Sequence, residues 1–132
     1  MNTKQVIVIR KDLKMRRGKE IAQGSHASMA FLTSKLKHRS IVDRVKRFFF
    51  RDIAKIEQDW LNNSFTKVTV QVNSEEELFS VYHAARGSCI EAHIICDNGL
   101  TEFGGVRTYT CCAIGPDQSE RIDLITKNLK LY

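Results

Sequence analysis

The segment that most constrains the fold is the apolar run KQVIVIR at residues 4–10. Its residues are mostly β-branched, which favours a strand, and its apolarity is continuous rather than alternating. Because neither face of such a strand can be left to water, both faces have to be covered by other elements. The run therefore predicts a central strand in a sheet with helices on both sides.

The rest of the chain alternates between helical and strand patterns. Apolar residues recur at helical steps in four segments, at about 18–36, 41–61, 74–87 and from Asp117 onwards. Strand patterns cover three further segments, at 65–72, 91–96 and 106–115. Ser74 and Glu77 form a capping box at the start of the third helix, and Gly87 marks its end.

The order of these elements, β-α-α-β-α-β-β-α, predicts an α/β protein. We expect a single-domain, three-layer fold over residues 1–132, in which a four-stranded mixed β-sheet has helices on both faces. The short connection between the last two strands predicts that this pair is antiparallel.

Composition and charge limit the functional classes. The chain has 132 residues, 42% hydrophobic residues and one proline, which is typical of a globular protein. Its net charge of +6 favours an anionic partner. No apolar stretch has the length of a membrane span or the pattern of a signal peptide, so we expect a cytoplasmic protein with no membrane partner. The four cysteines lack metal-site spacing, and no metal is expected.

Two polar segments follow strands of the predicted sheet. KMRRGK comes after the first strand and DNGLTEFGG after the third, and the carboxyl ends of parallel strands meet at one edge of a sheet. The first segment supplies positive charge and helix N–H groups for an anion, and the second supplies Asp97 and Thr101. A P-loop is excluded, because Leu13 stands where its first glycine is needed and Glu20 follows Lys19 in place of Ser or Thr.

Lys19, Gln23 and His26 are separated by four and three residues, so they share one stripe of the first helix. A substrate along this stripe would meet a cation, an amide and an imidazole in order. Each residue also has an ordinary structural interpretation: Lys19 as a solvated lysine at a helix start, His26 as a partly buried histidine, and Asp97 as a turn former. Periodicity alone does not combine them into a reaction.

The segment 41–61 carries a basic face opposite its apolar face. Its basic residues recur at steps of three and four, at Arg44, Arg47, Arg51 and Lys55. Such a stripe suits nucleic-acid phosphates, and it equally suits a solvated helix surface.

Several motifs stand in a fixed order along nearly the whole chain: VIRKDLKMRRGKEIAQGSHA, Trp60 followed by KVTVQVNSEEEL, DNGLTEFGGVRT, AIGP and the closing LKLY. Together they resemble the type II peptidyl-tRNA hydrolases, a family typical of archaea and eukaryotes and also found in some bacteria. The resemblance implies a carboxylic ester hydrolase that cleaves the ester bond of peptidyl-tRNA, releasing free tRNA and peptide. It also implies ribosome rescue, in which peptidyl-tRNA dropped by stalled ribosomes is recycled.

The resemblance further implies that no metal or organic cofactor is needed, that tRNA is the nucleic-acid partner and that a homodimer can form. By position, the catalytic residues of the family fall on Lys19, His26, Asp97, Thr101 and Thr108. Residues expected to bind the substrate are Gln23, Arg16, Arg17, Arg44, Arg47 and Arg51. Two roles stay open for Lys19, oxyanion stabilisation or a phosphate clamp, and two for His26, general base or positioning group.

The chain departs from the family pattern at two places in the site. Gly24 replaces the cysteine that usually follows Ala-Gln, so a thiol at this point cannot take part in the reaction. The loop after Thr101 reads EFGGV, without the usual proline and one residue shorter, which affects the placement of Thr108. The alternatives to an enzyme are a non-catalytic tRNA- or RNA-binding module on the same fold and a protein-interaction domain.

Overall fold

The computed structural model describes residues 2–37 and 53–132, and this part of the chain contains four strands and four helices. The strands are β1 (Thr3–Arg10), β2 (Lys67–Val72), β3 (Ala92–Asp97) and β4 (Thr108–Gln118). The helices are α1 (Arg17–Leu36), α2 (Lys55–Asn62), α3 (Glu75–Gly87) and α4 (Ser119–Thr126). Their order along the chain confirms the predicted α/β class.

The strands form one mixed sheet in the order β2-β1-β4-β3. β1 is parallel to β2, with Val8 opposite Val70, and antiparallel to β4, with Val8 opposite Cys112. β3 is antiparallel to β4, as predicted. β1 and β3 therefore run in the same direction, and their carboxyl ends lie at the same edge of the sheet.

The core lies on both faces of the sheet, and β1 contributes to each. Val6 and Val8 point into an apolar cluster that includes Leu78 of α3 and Ile122 of α4. The alternate residues of the same strand belong to a second cluster with α1, which is formed by Ile7, Ile9, Met15, Ala27, Cys111 and Ala113. The prediction of a central strand covered by helices on both faces is confirmed.

Helix α1 has a wider apolar surface than its contact with the sheet needs. Ala27 and Phe31 are buried, whereas the apolar side chains of Ile21 and Met29 are exposed. Neither α1 nor any other helix in residues 2–37 and 53–132 is long and apolar enough to cross a membrane.

The predicted continuous helix over residues 41–61 is wrong at its carboxyl-terminal part. Ala54 is extended, with φ of −64° and ψ of 152°, and α2 begins at Lys55. The side chain of Glu57 fixes this start, because it accepts the Ala54 N–H at 2.9 Å and the Lys35 ammonium at 2.6 Å. This ion pair joins α2 to the end of α1.

The amino-terminal end of α3 has the predicted cap. The Ser74 hydroxyl accepts the Glu77 N–H at 3.1 Å, and the Glu77 carboxylate accepts the Asn73 N–H at 2.8 Å. At the other end Gly87 is the last helical residue, but the left-handed conformation falls on Cys89, with φ of 55°.

The last strand and helix meet later in the chain than the pattern predicts. β4 continues to Gln118, and α4 begins at Ser119. Asp117 does not cap the helix, because its carboxylate accepts the Gln118 N–H at 2.6 Å and the Arg121 guanidinium at 2.8 Å.

Replacing Leu78 by Ala tests the packing between α3 and the sheet. Leu78 is fully buried, whereas Leu124 on α4 is exposed. We expect Leu78→Ala to lower the free energy of unfolding by about 2–5 kcal/mol, because it leaves a cavity in the core. The matched control Leu124→Ala should change it by less than about 0.5 kcal/mol. Urea denaturation followed by circular dichroism measures both; equal effects would contradict the arrangement.

Candidate active site

The start of α1 and the end of β3 meet at the edge of the sheet where β1 and β3 both end. Lys19, in the first turn of α1, donates from Nζ to Oδ1 of Asp97 at 2.8 Å. Only 13% of the Lys19 side chain and 11% of the Asp97 side chain are exposed. The two polar segments thus meet where the sequence predicts, and they form a largely desolvated ion pair.

The carboxylate of Asp97 is held by three donors. Oδ1 accepts from Lys19 and, at 3.2 Å, from Nε2 of Gln23, while Oδ2 accepts the Gly99 N–H at 2.9 Å. A carboxylate oxygen has two lone-pair sites, so Oδ2 can accept one further hydrogen bond. The carboxylate of Asp97 is therefore fixed in orientation, and its Oδ2 can still accept a hydrogen bond from a donor such as water.

The ammonium of Lys19 also makes a second hydrogen bond. It donates to Oγ1 of Thr101 at 2.8 Å, and the centre of the Phe103 ring lies 5.6 Å away. An ammonium has three donors. Within residues 2–37 and 53–132 two of them have acceptors, so the third is left for a ligand.

Gln23 lies behind this pair and does not reach the surface. It is 2% exposed, and its Oε1 accepts the Thr110 hydroxyl at 2.6 Å while its Nε2 donates to Asp97. Because both ends of its amide are used inside the protein, the structure does not place Gln23 as the substrate contact that was expected. Thr110 was missed by the sequence reasoning, although it shares a strand face with Thr108 two residues earlier.

The remaining candidate residues on these elements lie around the pair. Thr108 is the register partner of Asp97 in the sheet, and its hydroxyl donates to the Val106 carbonyl at 2.9 Å. His26 is exposed and has no hydrogen bond or ion pair with the described residues. It follows Lys19 by two helical turns, roughly 10 Å along the axis of α1. His26 therefore does not contact the ion pair directly.

The arginines expected to bind phosphates are placed differently from one another. Arg16 is paired with Glu102, with Nε and Oε1 2.9 Å apart. Arg17 is exposed and has no ion pair in the part of the chain that the structure describes. Arg44, Arg47 and Arg51 lie outside the described residues.

The electrostatics of the site fix the charge of Asp97. The hydrogen bond from Lys19 lowers the pKa of Asp97, burial opposes this, and the Gly99 N–H lowers it further. A carboxyl group whose pKa is lower in the folded than in the unfolded protein stabilises the fold above its unfolded pKa, about 3.9, and loses that contribution as the pH falls through its folded pKa. At neutral pH Asp97 is therefore ionised.

The described residues contain no group of three or more His, Cys, Asp or Glu side chains that could hold a metal ion. Cys111 and Cys112 are buried in the sheet, and burial raises the pKa of the Cys111 thiol to about 11. A thiol of such high pKa is a poor nucleophile at neutral pH.

A groove with a volume of about 590 Å³ lies on the opposite flank of α1 from Lys19. It contains none of the candidate site residues. Its mainly apolar lining combines buried residues of β1 with exposed residues of α1, of the segment before β2 and of the chain end, namely Ile7, Ile9, Ile21, Met29, Phe65 and Tyr132. The exposed apolar flank of α1 thus forms part of a groove that is separate from the ion pair.

Comparison with known proteins identifies close relatives of this chain. The family model for Peptidyl-tRNA hydrolase PTH2 matches residues 3–132. A peptidyl-tRNA hydrolase of Methanocaldococcus jannaschii is 43% identical over 97% of this chain and 98% of its own length. Peptidyl-tRNA hydrolases of Methanothermobacter thermautotrophicus and Nanoarchaeum equitans are 38% and 39% identical, over 97% and 98% of this chain and 98% of each relative.

A titration of Asp97 tests the ion pair in the free protein. We expect a pKa below the ordinary value of about 3.9, and we expect it to rise in Lys19→Met, because the largest favourable contact of the carboxylate is removed while its burial remains. Carbon-13 NMR of the side-chain carboxyl measures both values. Lys127→Met, an exposed lysine at the end of α4, serves as control; the same pKa in all three proteins would show that Lys19 and Asp97 are not paired.

Proposed function

The chain belongs to the peptidyl-tRNA hydrolase PTH2 family, and we propose that it hydrolyses the ester bond of peptidyl-tRNA at the ion pair of Lys19 and Asp97. The reaction adds water to the ester and releases free tRNA and peptide. The observation that carries the assignment of the site is the partly buried ammonium of Lys19, which is held 2.8 Å from both Asp97 and Thr101 and has one donor without an acceptor among the described residues. Family membership does not favour the non-catalytic module or the protein-interaction domain.

Lys19 would stabilise the oxyanion. When water attacks an ester, negative charge develops on the carbonyl oxygen, and a donor fixed at that position lowers the barrier. The third N–H of Lys19 is free to donate to this oxygen, while Asp97 and Thr101 hold the ammonium in place. This argument favours oxyanion stabilisation over the phosphate clamp.

Asp97 would orient the attacking water. Its Oδ2 has room for one more donor beside the Gly99 N–H. Because its pKa is lowered, Asp97 is a weak base at neutral pH, so we assign it the orientation of water and not the complete removal of a proton. The oxygen of water bonds to the carbonyl carbon, the bond to the ribose oxygen breaks, and one proton of the water ends on that oxygen.

Thr101 and Thr108 would fix the substrate. The Thr101 hydroxyl accepts from Lys19, so its own proton is available for the ester or for the terminal ribose. Thr108 lies beside Asp97 across the two strands and suits a contact with the terminal adenosine. Gln23 would position Asp97, since Thr110 and Asp97 already use its amide.

The basic residues would bind the tRNA. Arg17 is exposed next to the site, and Arg44, Arg47 and Arg51 are proposed for the same role from their sequence pattern alone. Phosphate contacts of this kind weaken as the salt concentration rises. We propose a cytoplasmic enzyme that recycles peptidyl-tRNA, because its substrate forms during translation. The homodimer stays a prediction, which a measurement of the molecular mass in solution would test.

Replacing Lys19 by Ala tests the site. We expect the turnover of an N-acetyl-aminoacyl-tRNA, measured as release of the acylated amino acid in EDTA, to fall by about a hundredfold or more. The control Lys127→Ala removes an exposed lysine from the end of α4 and should keep the wild-type rate. Near-wild-type turnover by Lys19→Ala would remove Lys19 from the site, and an inactive wild-type protein would overturn the function itself.

His26 is expected to contact the substrate two turns away from the ester. In that position it cannot take a proton from water bound at Asp97, so we propose positioning and not base catalysis. His26→Ala should raise KM several-fold with a smaller change in kcat, because uniform binding of substrate and transition state is lost. Steady-state kinetics over a range of tRNA concentrations measures both; a large fall in kcat with KM unchanged would favour the general-base role.

A further inference from the structure

Glu102 connects the loop after β3 to the start of α1. Its Oε1 accepts from Nε of Arg16 at 2.9 Å, and its Oε2 accepts the backbone N–H of the same residue at 3.3 Å. The Glu102 side chain is 14% exposed, whereas 80% of the Arg16 side chain is exposed. The Glu102 side chain is thus largely covered by the protein, whereas the Arg16 side chain lies mostly in solvent.

The contact also supplies what the start of α1 lacks. Arg16 is the residue that precedes the helix, and its own side chain makes no capping hydrogen bond. An acidic group at the amino-terminal end of a helix interacts favourably with the helix dipole and with free N–H groups. Glu102 provides this group from a position 86 residues later in the chain.

The two neighbours of Glu102 both face Lys19. Thr101 accepts a hydrogen bond from the Lys19 ammonium, and the Phe103 ring lies 5.6 Å from it and packs against the apolar cluster under α1. A movement of Glu102 would therefore move both the Thr101 hydroxyl and the Phe103 ring relative to the Lys19 ammonium.

The loop has few hydrogen bonds between its own backbone groups. Gly105 donates to the Gly99 carbonyl at 2.8 Å, and Val106 donates to the Phe103 carbonyl at 3.0 Å. Gly99, Gly104 and Gly105 have positive φ values, which glycine adopts at no steric cost but which leave the unfolded loop with much conformational freedom. Contacts from outside the loop therefore help to hold it in one conformation.

From these contacts we infer that Glu102 is a positioning residue for the hydrolysis, which acts through Arg16 to hold Thr101 and Phe103 against Lys19. This inference rests on the proposed function of the Lys19 site. Arg16, which was expected to bind a tRNA phosphate, thereby has a structural role as the partner of Glu102.

The test compares Glu102→Ala, Glu102→Gln, Arg16→Ala and the double variant. Glu102→Ala removes both acceptors and should lower kcat roughly ten- to hundredfold with less than about a threefold change in KM, because the reacting groups are misplaced while binding is kept. Glu102→Gln keeps one acceptor and should restore part of the rate. The double variant should have the kcat of Glu102→Ala, since both side chains act through one contact.

A second measurement follows the loop without substrate. Hydrogen exchange of the Gly105 amide, which donates to Gly99, should be faster in Glu102→Ala and Arg16→Ala than in the wild type. Glu76→Ala on α3 and Arg86→Ala at its end are exposed controls of the same residue types and should leave exchange and kcat unchanged. Unfolding in urea shows that each variant is folded.

Each outcome decides one point. Faster exchange with lower kcat supports the inference; unchanged exchange, or faster exchange with unchanged kcat, overturns it. Additive losses of kcat in the double variant would also overturn it, because Glu102 would then act without Arg16. If the wild type hydrolysed no ester, the proposed function would fail, while the exchange data would still report whether Glu102 holds the loop.

Discussion

Burial of β1 on both faces is the constraint on which the rest of the structure depends. Helices cover both faces of β1, so its hydrogen bonds can be made only along its two edges, with β2 and β4. β4 in turn pairs with β3 in the antiparallel sense, so β3 runs in the same direction as β1. Because β1 and β3 end at the same edge of the sheet, the polar residues that follow them come together. The position of the charged site thus follows from the need to bury both faces of β1.

The ion pair at this edge differs from an ordinary surface pair, which contributes little because water screens both charges. Lys19 and Asp97 are largely desolvated, and Asp97 has further donors in Gln23 and Gly99. These donors keep the carboxylate ionised and fixed, and it in turn orients the Lys19 ammonium. Because one N–H of the Lys19 ammonium has no acceptor among the described residues, the ammonium can still donate a hydrogen bond to a substrate while it is paired with Asp97.

Much of this arrangement can be predicted from the sequence, where the signal is local. The continuous run at residues 4–10 predicts the buried strand, and the meeting of two strand ends predicts that Lys19 and Asp97 are close. Helical spacing places Gln23 and His26 on one stripe, but it does not give depth: Gln23 is buried against β4, whereas His26 is exposed.

The features that could not be predicted depend on contacts between distant residues. No proline or glycine marks the interruption at Ala54, which is fixed by Glu57 and its ion pair with Lys35 of α1. The contact between Arg16 and Glu102 likewise has no local pattern.

The two halves of the site are held in physically different ways. Asp97 belongs to a strand and Lys19 to a helix, so the backbone hydrogen bonds of regular structure determine their separation. Thr101 and Phe103 belong to a glycine-rich loop, whose conformation depends on a side-chain contact at its tip. A change in this loop can therefore alter the shape of the site around Lys19 while the charges at its centre remain in place.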